Sequence, residues 1–371
     1  MTWLYVVLIG YSLNAIALTI DKFLLTKSIP KPATYTFNVG LLNGIFTLLL
    51  IPLGVSLLSP FNIFISLLAG CFFAFALFTM YTALKGDEAS RVVPYIGSLN
   101  PVFIFILATL ILGESLRGNQ LVAFFFIIIG GILISWRFKD KKNIFEQMLP
   151  KNFYNIFNKK DKSSITKIFI IATISAVFFA LSYTLTKHIY NSTSFLNGFI
   201  WTRFGLVLGV LLIAFASRDY HQALVFPKFP HFGKFLSKIF GLYTSITKKF
   251  NKKIFSKSKN LNQKQHLTTA PRKLKQKKQK IKFTKKTGAI FLFGQACGGI
   301  SFFLINYAFS LNSVTLVHAL QGVQYIVLFL IIIILSKKFP KVLEEKLTPN
   351  VLGQKIIAII LIGIGLYVLT I

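Results

Sequence analysis

The sequence predicts an all-α polytopic membrane protein whose ten transmembrane helices form two inverted five-helix repeats. Of its 371 residues, 54% are hydrophobic, and the mean hydropathy of +0.66 is well above that of soluble proteins. Many apolar stretches reach the roughly 18 residues that identify a transmembrane helix. These stretches do not alternate between apolar and polar residues, so they are not barrel strands, and helices satisfy the backbone within each span.

An internal repeat is the second observation behind this prediction. Early residues of the first copy recur after 165 positions and later ones after 225, because a segment is inserted between residues 217 and 288. Repeats within one apolar chain are typical of transporters. The matched pairs are Thr19 with Thr184, Lys22 with Lys187, Gly40 with Gly205, Gly44 with Gly209, Ala83 with Ala308, Gly97 with Gly322 and, after a longer loop, Glu114 with Glu345.

Each copy supplies five spans, an odd number, so the two copies enter the membrane in opposite orientations. The first span lacks a basic leader and a cleavage site, so we expect a membrane helix there and no removable signal peptide. The expected domains are a first repeat at 1–136, a basic linker at 137–164, a second repeat at 165–217 and 288–371, and a basic insertion at 218–287. The predicted spans are 2–20, 34–57, 62–84, 92–112, 119–136, 165–186, 195–217, 288–309, 313–335 and 351–371.

The charge is strongly basic, with 42 Lys and Arg against 10 Asp and Glu. Biased codon usage explains so much lysine, so nucleic acid is not an expected partner. We expect the protein to lie in the cell (inner) membrane. Lys and Arg concentrate in alternate loops, which places those loops in the cytoplasm and both termini on the outside. Within 218–287, aromatic and apolar residues at helical spacing predict a basic amphipathic helix that contacts anionic lipid headgroups, followed by a disordered polybasic segment. A solvated loop is the alternative.

Arg203 is the clearest candidate for a functional residue, because a charge inside a span is costly. It lies eight residues into its span and beside Trp201. It either acts as the counter-ion of a solute or extends to a nearby headgroup. His318, Gln321 and Gln324 recur at intervals of three, so they either line a cavity or join helices by hydrogen bonds. Weaker candidates are Gln295, Asn306, Tyr81, Tyr95, Asn100, Asn14 and Tyr183.

Other residues favour structural roles. Glu114 and Glu345 are expected to compensate helix N-termini before spans 5 and 10. Gly-x3-Gly pairs predict close helix contacts. Cys71 and Cys297 are expected to be buried apolar residues, with no metal site and no cofactor. The remaining structural candidates are Gly113, Pro94 and Pro101.

No carboxylate lies in the middle of any predicted span, which argues against a proton-coupled exporter of cationic drugs. Arg203 with His318 better suits an anionic or zwitterionic solute. The sequence has no phosphate-binding loop, zinc-type spacing or nucleophile elbow, so an enzyme is not expected.

The segment from Ala83 to Ser135, including Gly113-Glu114-Ser115-Leu116, resembles the EamA domains of the drug/metabolite transporter superfamily, and Ala308 to Thr370 resembles them more loosely. The resemblance implies a ten-helix basket with a central cavity, and export or exchange of small metabolites. Three features depart from that family. Glu344-Glu345 replaces a Gly-Glu pair, the 218–287 insertion is unusually long, and the family implies cytoplasmic termini.

These observations together predict a secondary transporter (a permease) in which one repeat rocks against the other around a midplane site. Two alternatives stay open. One is a flippase of lipid-linked or hydrophobic solutes, and the other is a membrane scaffold that acts through the polybasic 218–287 segment.

Overall fold

The computed structural model of the protein describes residues 2–29, 31–87, 89–115, 118–135, 151–217, 285–336 and 349–370, all within one compact unit. These residues are helical apart from short links. The helices are α1 (Thr2–Lys27), α2 (Pro32–Leu50, followed by a 3₁₀ turn at Ile51–Leu53), α3 (Pro60–Gly86), α4 (Ala89–Leu112), α5 (Gly118–Ser135), α6 (Lys151–Ser192), α7 (Phe195–Ala216), α8 (Lys285–Leu311), α9 (Val314–Ala319), α10 (Gly322–Ser336) and α11 (Pro349–Thr370).

The architecture is that of an all-α multi-pass membrane protein. In the described ranges, eight helical segments are long and apolar enough to cross a membrane. The other two predicted spans, α5 and α11, contain shorter apolar stretches at Gly118–Leu133 and Gly353–Gly365. Large apolar side chains cover the outer surface, as Leu110 and Ile334 illustrate with 77% and 71% exposure. Such a surface suits lipid and not water.

Several helices differ from the predicted spans, and three of these differences are instructive. Helix α1 continues seven residues beyond residue 20, to Lys27, because the charged residues that end its apolar run have buried partners. Helix α6 begins at Lys151, inside the predicted linker. The predicted ninth span is two helices, because the backbone turns at Leu320 and Gln321. By contrast, α4 stays continuous through Pro94 and Pro101.

Close helix contacts occur where the Gly-x3-Gly pairs predict them. A Cβ atom on Gly40 would meet Val210 of α7, and one on Gly294 would meet Ile20 of α1. A Cβ atom on Gly205 would meet the backbone of Leu67 in α3. Small residues therefore allow α2, α3 and α7 to approach one another, and likewise α1 and α8.

The two predicted halves interleave. The most extensive helix contacts are those of α3 with α6, α1 with α8, α5 with α11 and α3 with α7, and each pair takes one helix from each half. A movement of one half against the other would therefore have to rearrange these contacts.

Glu114 compensates a helix N-terminus, as expected, but the helix is α9 and not α5. Its carboxylate accepts hydrogen bonds from Ser313, Val314 and Thr315 at the start of α9. Gly113 makes this possible by ending α4 at a φ of 67°, in the left-handed region that glycine tolerates. Glu345 and the predicted amphipathic helix within 218–287 lie outside the described residues.

Candidate functional site

A cavity of about 120 Å³ lies among the helices and is lined from both predicted halves. Helices α1, α2, α3 and α4 contribute to its wall, as do α6, α7, α8 and the region where α9 meets α10. This volume holds several water molecules or a small solute group, since one water needs about 10–15 Å³ on a comparable measure.

Arg203 lies in the cavity wall, in a box of aromatic rings. Its side chain is only 4% exposed, and its guanidinium carbon is 3.9 Å from the ring centroid of Phe302. The same atom is 5.0 Å from the ring centroid of Phe73 and 5.4 Å from that of Phe199. The Nε and Nη1 groups of Arg203 have no hydrogen-bond partner in the described part of the chain. The guanidinium thus has a cation–π environment and free donors.

The predicted ninth span, which the structure divides into α9 and α10, brings His318, Gln321 and Gln324 to the same cavity. The Tyr11 hydroxyl of α1 donates a 3.0 Å hydrogen bond to the carbonyl of Val317 and lies 3.4 Å from His318 Nδ1. Gln324 Oε1 accepts a 2.8 Å hydrogen bond from Asn14 of α1. His318 and Gln324 thus contact α1, and all three residues line the cavity.

Tyr183 lies between His318 of α9 and the aromatic rings that surround Arg203. Its ring centroid is 4.1 Å from that of His318 and 5.9 Å from that of Phe73, the ring that Arg203 faces. Arg203 and His318 therefore belong to one layer of the cavity. His318 Nε2 has no hydrogen-bond partner among the residues that the structure describes.

Asp21 is the cavity residue that the sequence reasoning missed. Its carboxylate is 4% exposed and accepts hydrogen bonds from Tyr35 (2.5 Å), Tyr81 (3.0 Å) and Gln295 (3.2 Å). Asp21 lies one residue beyond the predicted end of the first span, and it belongs to α1 because that helix continues to Lys27. The sequence contains one other indication of this cluster. A buried carboxylate needs hydrogen-bond donors, and α2 and α3 each carry a tyrosine, Tyr35 and Tyr81, at the same depth as Asp21.

The two charges stand out within this cavity. Among the described residues that line it, Asp21 is the only Asp or Glu, and Arg203 is the only Lys or Arg. They do not pair with each other in the structure. Asp21 accepts only from neutral groups, and no Lys or Arg of the described ranges forms an ion pair with it.

Of the twelve residues singled out in the sequence, counting Trp201 beside Arg203, nine line this cavity, namely Arg203, His318, Gln321, Gln324, Gln295, Asn100, Tyr81, Asn14 and Tyr183. The structure places the other three elsewhere. The Tyr95 hydroxyl lies 3.0 Å from Thr173 of α6. Trp201 donates to the carbonyl of Ser56 at an exposed position. Asn306 accepts from the Tyr190 hydroxyl and donates to the Phe302 carbonyl.

The two cysteines and the possible metal ligands were the remaining groups to locate. Cys71 and Cys297 are both free thiols, half-buried and buried respectively. In the described ranges, no three His, Cys, Asp or Glu side chains are grouped so that they could hold a metal ion.

Comparison with known proteins identifies a fold and no family. No protein-family model and no curated protein matches the sequence. Among solved structures 25 chains match, and one crystal structure superposes with a TM-score of 0.55 over 99% of this chain and 96% of its own. The two sequences are 15% identical, so the likeness shows a shared fold alone.

Proposed function

We propose that this protein is a secondary transporter of small anionic or zwitterionic solutes that works by alternating access to the central cavity. One observation carries the proposal: Arg203 is buried in the cavity wall with unpartnered N–H donors. Arginine stays protonated in proteins, so this is a permanent positive charge.

A buried positive charge needs compensation. The cation–π contacts of Arg203 supply part of it, at about 0.5–2 kcal/mol each, and the polar cavity wall supplies more. They leave the guanidinium donors unused, and those donors suit a carboxylate, phosphate or sulfonate oxygen. The alternative of an arginine that extends to a headgroup does not fit an exposure of 4%.

We further propose that the ten predicted spans form two inverted repeats. Lys22 donates to the carbonyls of Leu84 and Asp87, both at 2.7 Å. Lys187 donates to the carbonyls of Phe309 (2.8 Å) and Asn312 (3.0 Å). The lysines are 165 positions apart and their acceptors 225 apart, which are the spacings of the sequence repeat. This correspondence supports the resemblance to the EamA domains, in which two five-helix units enclose a central cavity.

Ligand-induced thermal stabilisation tests the function. Detergent-purified protein would be screened against anionic and zwitterionic metabolites, phospholipids and oligonucleotides, because a ligand that binds only the folded state raises apparent stability. We expect one class of small anionic or zwitterionic metabolite to stabilise the wild type and to have no effect on Arg203→Ala. Arg91→Ala is the matched control, since Arg91 pairs with Asp87 and does not line the cavity.

Two outcomes would contradict the proposal. Equal stabilisation of the wild type and Arg203→Ala would remove Arg203 from the binding site. Stabilisation by lipid or oligonucleotide alone, lost on deletion of 218–287, would favour the flippase or scaffold alternatives. Arg203→Lys separates charge from shape, because lysine keeps the charge but cannot form a two-point contact with the solute.

A further inference from the structure

We propose that Asp21 is a proton-binding site coupled to anion binding at Arg203, so that the transporter carries one proton together with each monoanion. The inference rests on the proposed function for its second half, the coupling. Its first half, reversible protonation of Asp21, depends only on the Asp21 cluster and is tested separately.

The groups that donate hydrogen bonds to Asp21 are all neutral. The groups that face it are Tyr35 from α2, Tyr81 from α3 and Gln295 from α8. On its own helix, the adjacent Lys22 donates to the carbonyls of Leu84 and Asp87. An ionisable side chain buried in a span marks a proton or ion pathway by default. Asp21 is such a side chain, and none of its hydrogen-bond partners is a cation.

The chemistry of the cluster favours a proton over a metal ion. Asp21 receives three hydrogen bonds, from two hydroxyls and one amide, so both of its oxygens already have donors. A sodium ion would need about five or six oxygen ligands, and the hydroxyls and the amide would have to turn their oxygens inward. A proton needs only one carboxylate oxygen and a reversed hydroxyl.

The depth of Asp21 separates it from the Arg203 layer. Gln295, which binds Asp21, and Phe302, which contacts Arg203, are seven residues apart on α8. At about 1.5 Å per residue the two layers lie on the order of 10 Å apart along that helix. The neighbouring charges of a small zwitterion do not span this distance, so the occupant of Asp21 is a separate cation.

Charge balance then links the two sites. With Asp21 ionised, its charge and that of Arg203 cancel, and an incoming monoanion leaves the cavity with a net negative charge. With Asp21 protonated, the positive charge of Arg203 is not balanced, and the bound monoanion neutralises it. This count takes His318, which is beside Arg203, as neutral. At ~10 Å and an effective dielectric constant of about 20, Coulomb interaction corresponds to an effect on the order of 10-fold in anion affinity.

Infrared difference spectroscopy tests the proton site without any solute. The full-length protein would be titrated between about pH 4 and 9, the range that covers ordinary and buried carboxyl groups. The low acidic content, 10 Asp and Glu in all, keeps the background small. We expect a protonated-carboxyl C=O band to appear on acidification in the wild type and in Arg203→Ala and to be missing from Asp21→Asn. Identical bands in the wild type and Asp21→Asn would overturn the proposal, as would thermal stabilisation by sodium that Asp21→Asn abolishes.

A second variant covers the case in which Asp21→Asn does not fold. Tyr81→Phe keeps Asp21 and the aromatic ring but removes one hydrogen bond to the carboxyl group, so the C=O band should move to higher wavenumber. The control is Tyr5→Phe, whose hydroxyl is on the 66% exposed Tyr5 of the same helix as Asp21. An unshifted band in Tyr81→Phe would assign the band to another carboxyl group.

Ethanesulfonate, which stays anionic throughout the titration, tests the coupling. Its thermal stabilisation should indicate an affinity that rises on the order of 10-fold on acidification in the wild type and stays constant in Asp21→Asn. The same pH dependence in both proteins would overturn the coupling. A carboxyl band that does not depend on Asp21 contradicts the proton site, whereas sulfonate binding that is unaltered in Arg203→Ala contradicts the proposed function, so the two failures are distinguishable.

Discussion

The carboxylate of Glu114 accepts a 2.7 Å hydrogen bond from the hydroxyl of Ser313, 199 residues further along the chain. It also accepts from the backbone N–H of Val314 (3.2 Å) and the hydroxyl of Thr315 (3.0 Å). One carboxylate thus satisfies the start of α9 and favours the positive end of that short helix.

Removing this cap should destabilise the protein. We expect Glu114→Ala to lower the free energy of unfolding by about 2 kcal/mol, because three donors at a helix start lose a charged acceptor. Thermal unfolding in detergent measures the change. Glu114→Gln keeps one oxygen in place and should lose roughly half as much. Equal stability of the wild type and Glu114→Ala would mean that water replaces the carboxylate without cost.

The equivalent lysines Lys22 and Lys187 are both buried, so we expect their substitution to have matched effects. Lys22→Met and Lys187→Met each leave two carbonyls at the end of a helix without their donor, so we expect each to cost about 2–3 kcal/mol in unfolding free energy. Lys85→Met, at an exposed position near the end of α3, is the control and should be within about 0.5 kcal/mol of the wild type. A large loss for only one of the two buried lysines would contradict their structural equivalence.

Gly205 predicts a steric effect. A Cβ atom there would meet the backbone of Leu67, which cannot rotate away, so Gly205→Ala should destabilise the protein by about 1–3 kcal/mol. Gly363→Ala in α11 is the control, because no atom lies within 4 Å of its Cβ position. Alanine should stabilise that helix slightly, by less than about 1 kcal/mol. Chemical denaturation of both variants measures the difference, and similar stabilities would argue against the close contact of α3 with α7.

Phe302 predicts an effect on binding through Arg203. Phe302→Leu removes the nearest ring from the guanidinium, at 3.9 Å, and should weaken binding of the stabilising anion by about 3- to 10-fold. Phe293→Leu on the same helix is the control, since Phe293 is 60% exposed on the outer surface. Ligand titrations followed by thermal shift compare the two. An undiminished affinity in Phe302→Leu would mean that this ring does not hold Arg203 in its binding position.

Much of the fold could be predicted because apolar runs and small residues act locally. The Gly-x3-Gly pairs indicated close contacts, and Gly40 and Gly294 lie in such contacts. Helix ends were less predictable, since Asp21 and Lys22 resemble the end of a span unless their buried partners are known. Those partners are far away in the sequence, as the separation of Asp21 and Tyr81 along the chain shows.

The site was predictable in part for the same reason. Arg203 is conspicuous because a charge within an apolar run is rare. The break in the ninth span was not predictable, since the residues on either side of Gln321 continue the helical pattern. The aromatic box around Arg203 comes from α3, α7 and α8, so it exists only after these helices have packed.

The contact at Gly70 has a consequence for movement. A Cβ atom on Gly70 would meet the backbone of Thr202 and Gly205, so the backbones of α3 and α7 touch at this point and the two helices form one closely packed body. Helices α1 and α8 form a second such body through Ile20 and Gly294. Arg203 belongs to the first body and Asp21 to the second. Any sliding between them stretches the hydrogen bond from Tyr81 to Asp21, so a change of access would reset the separation of the two charges.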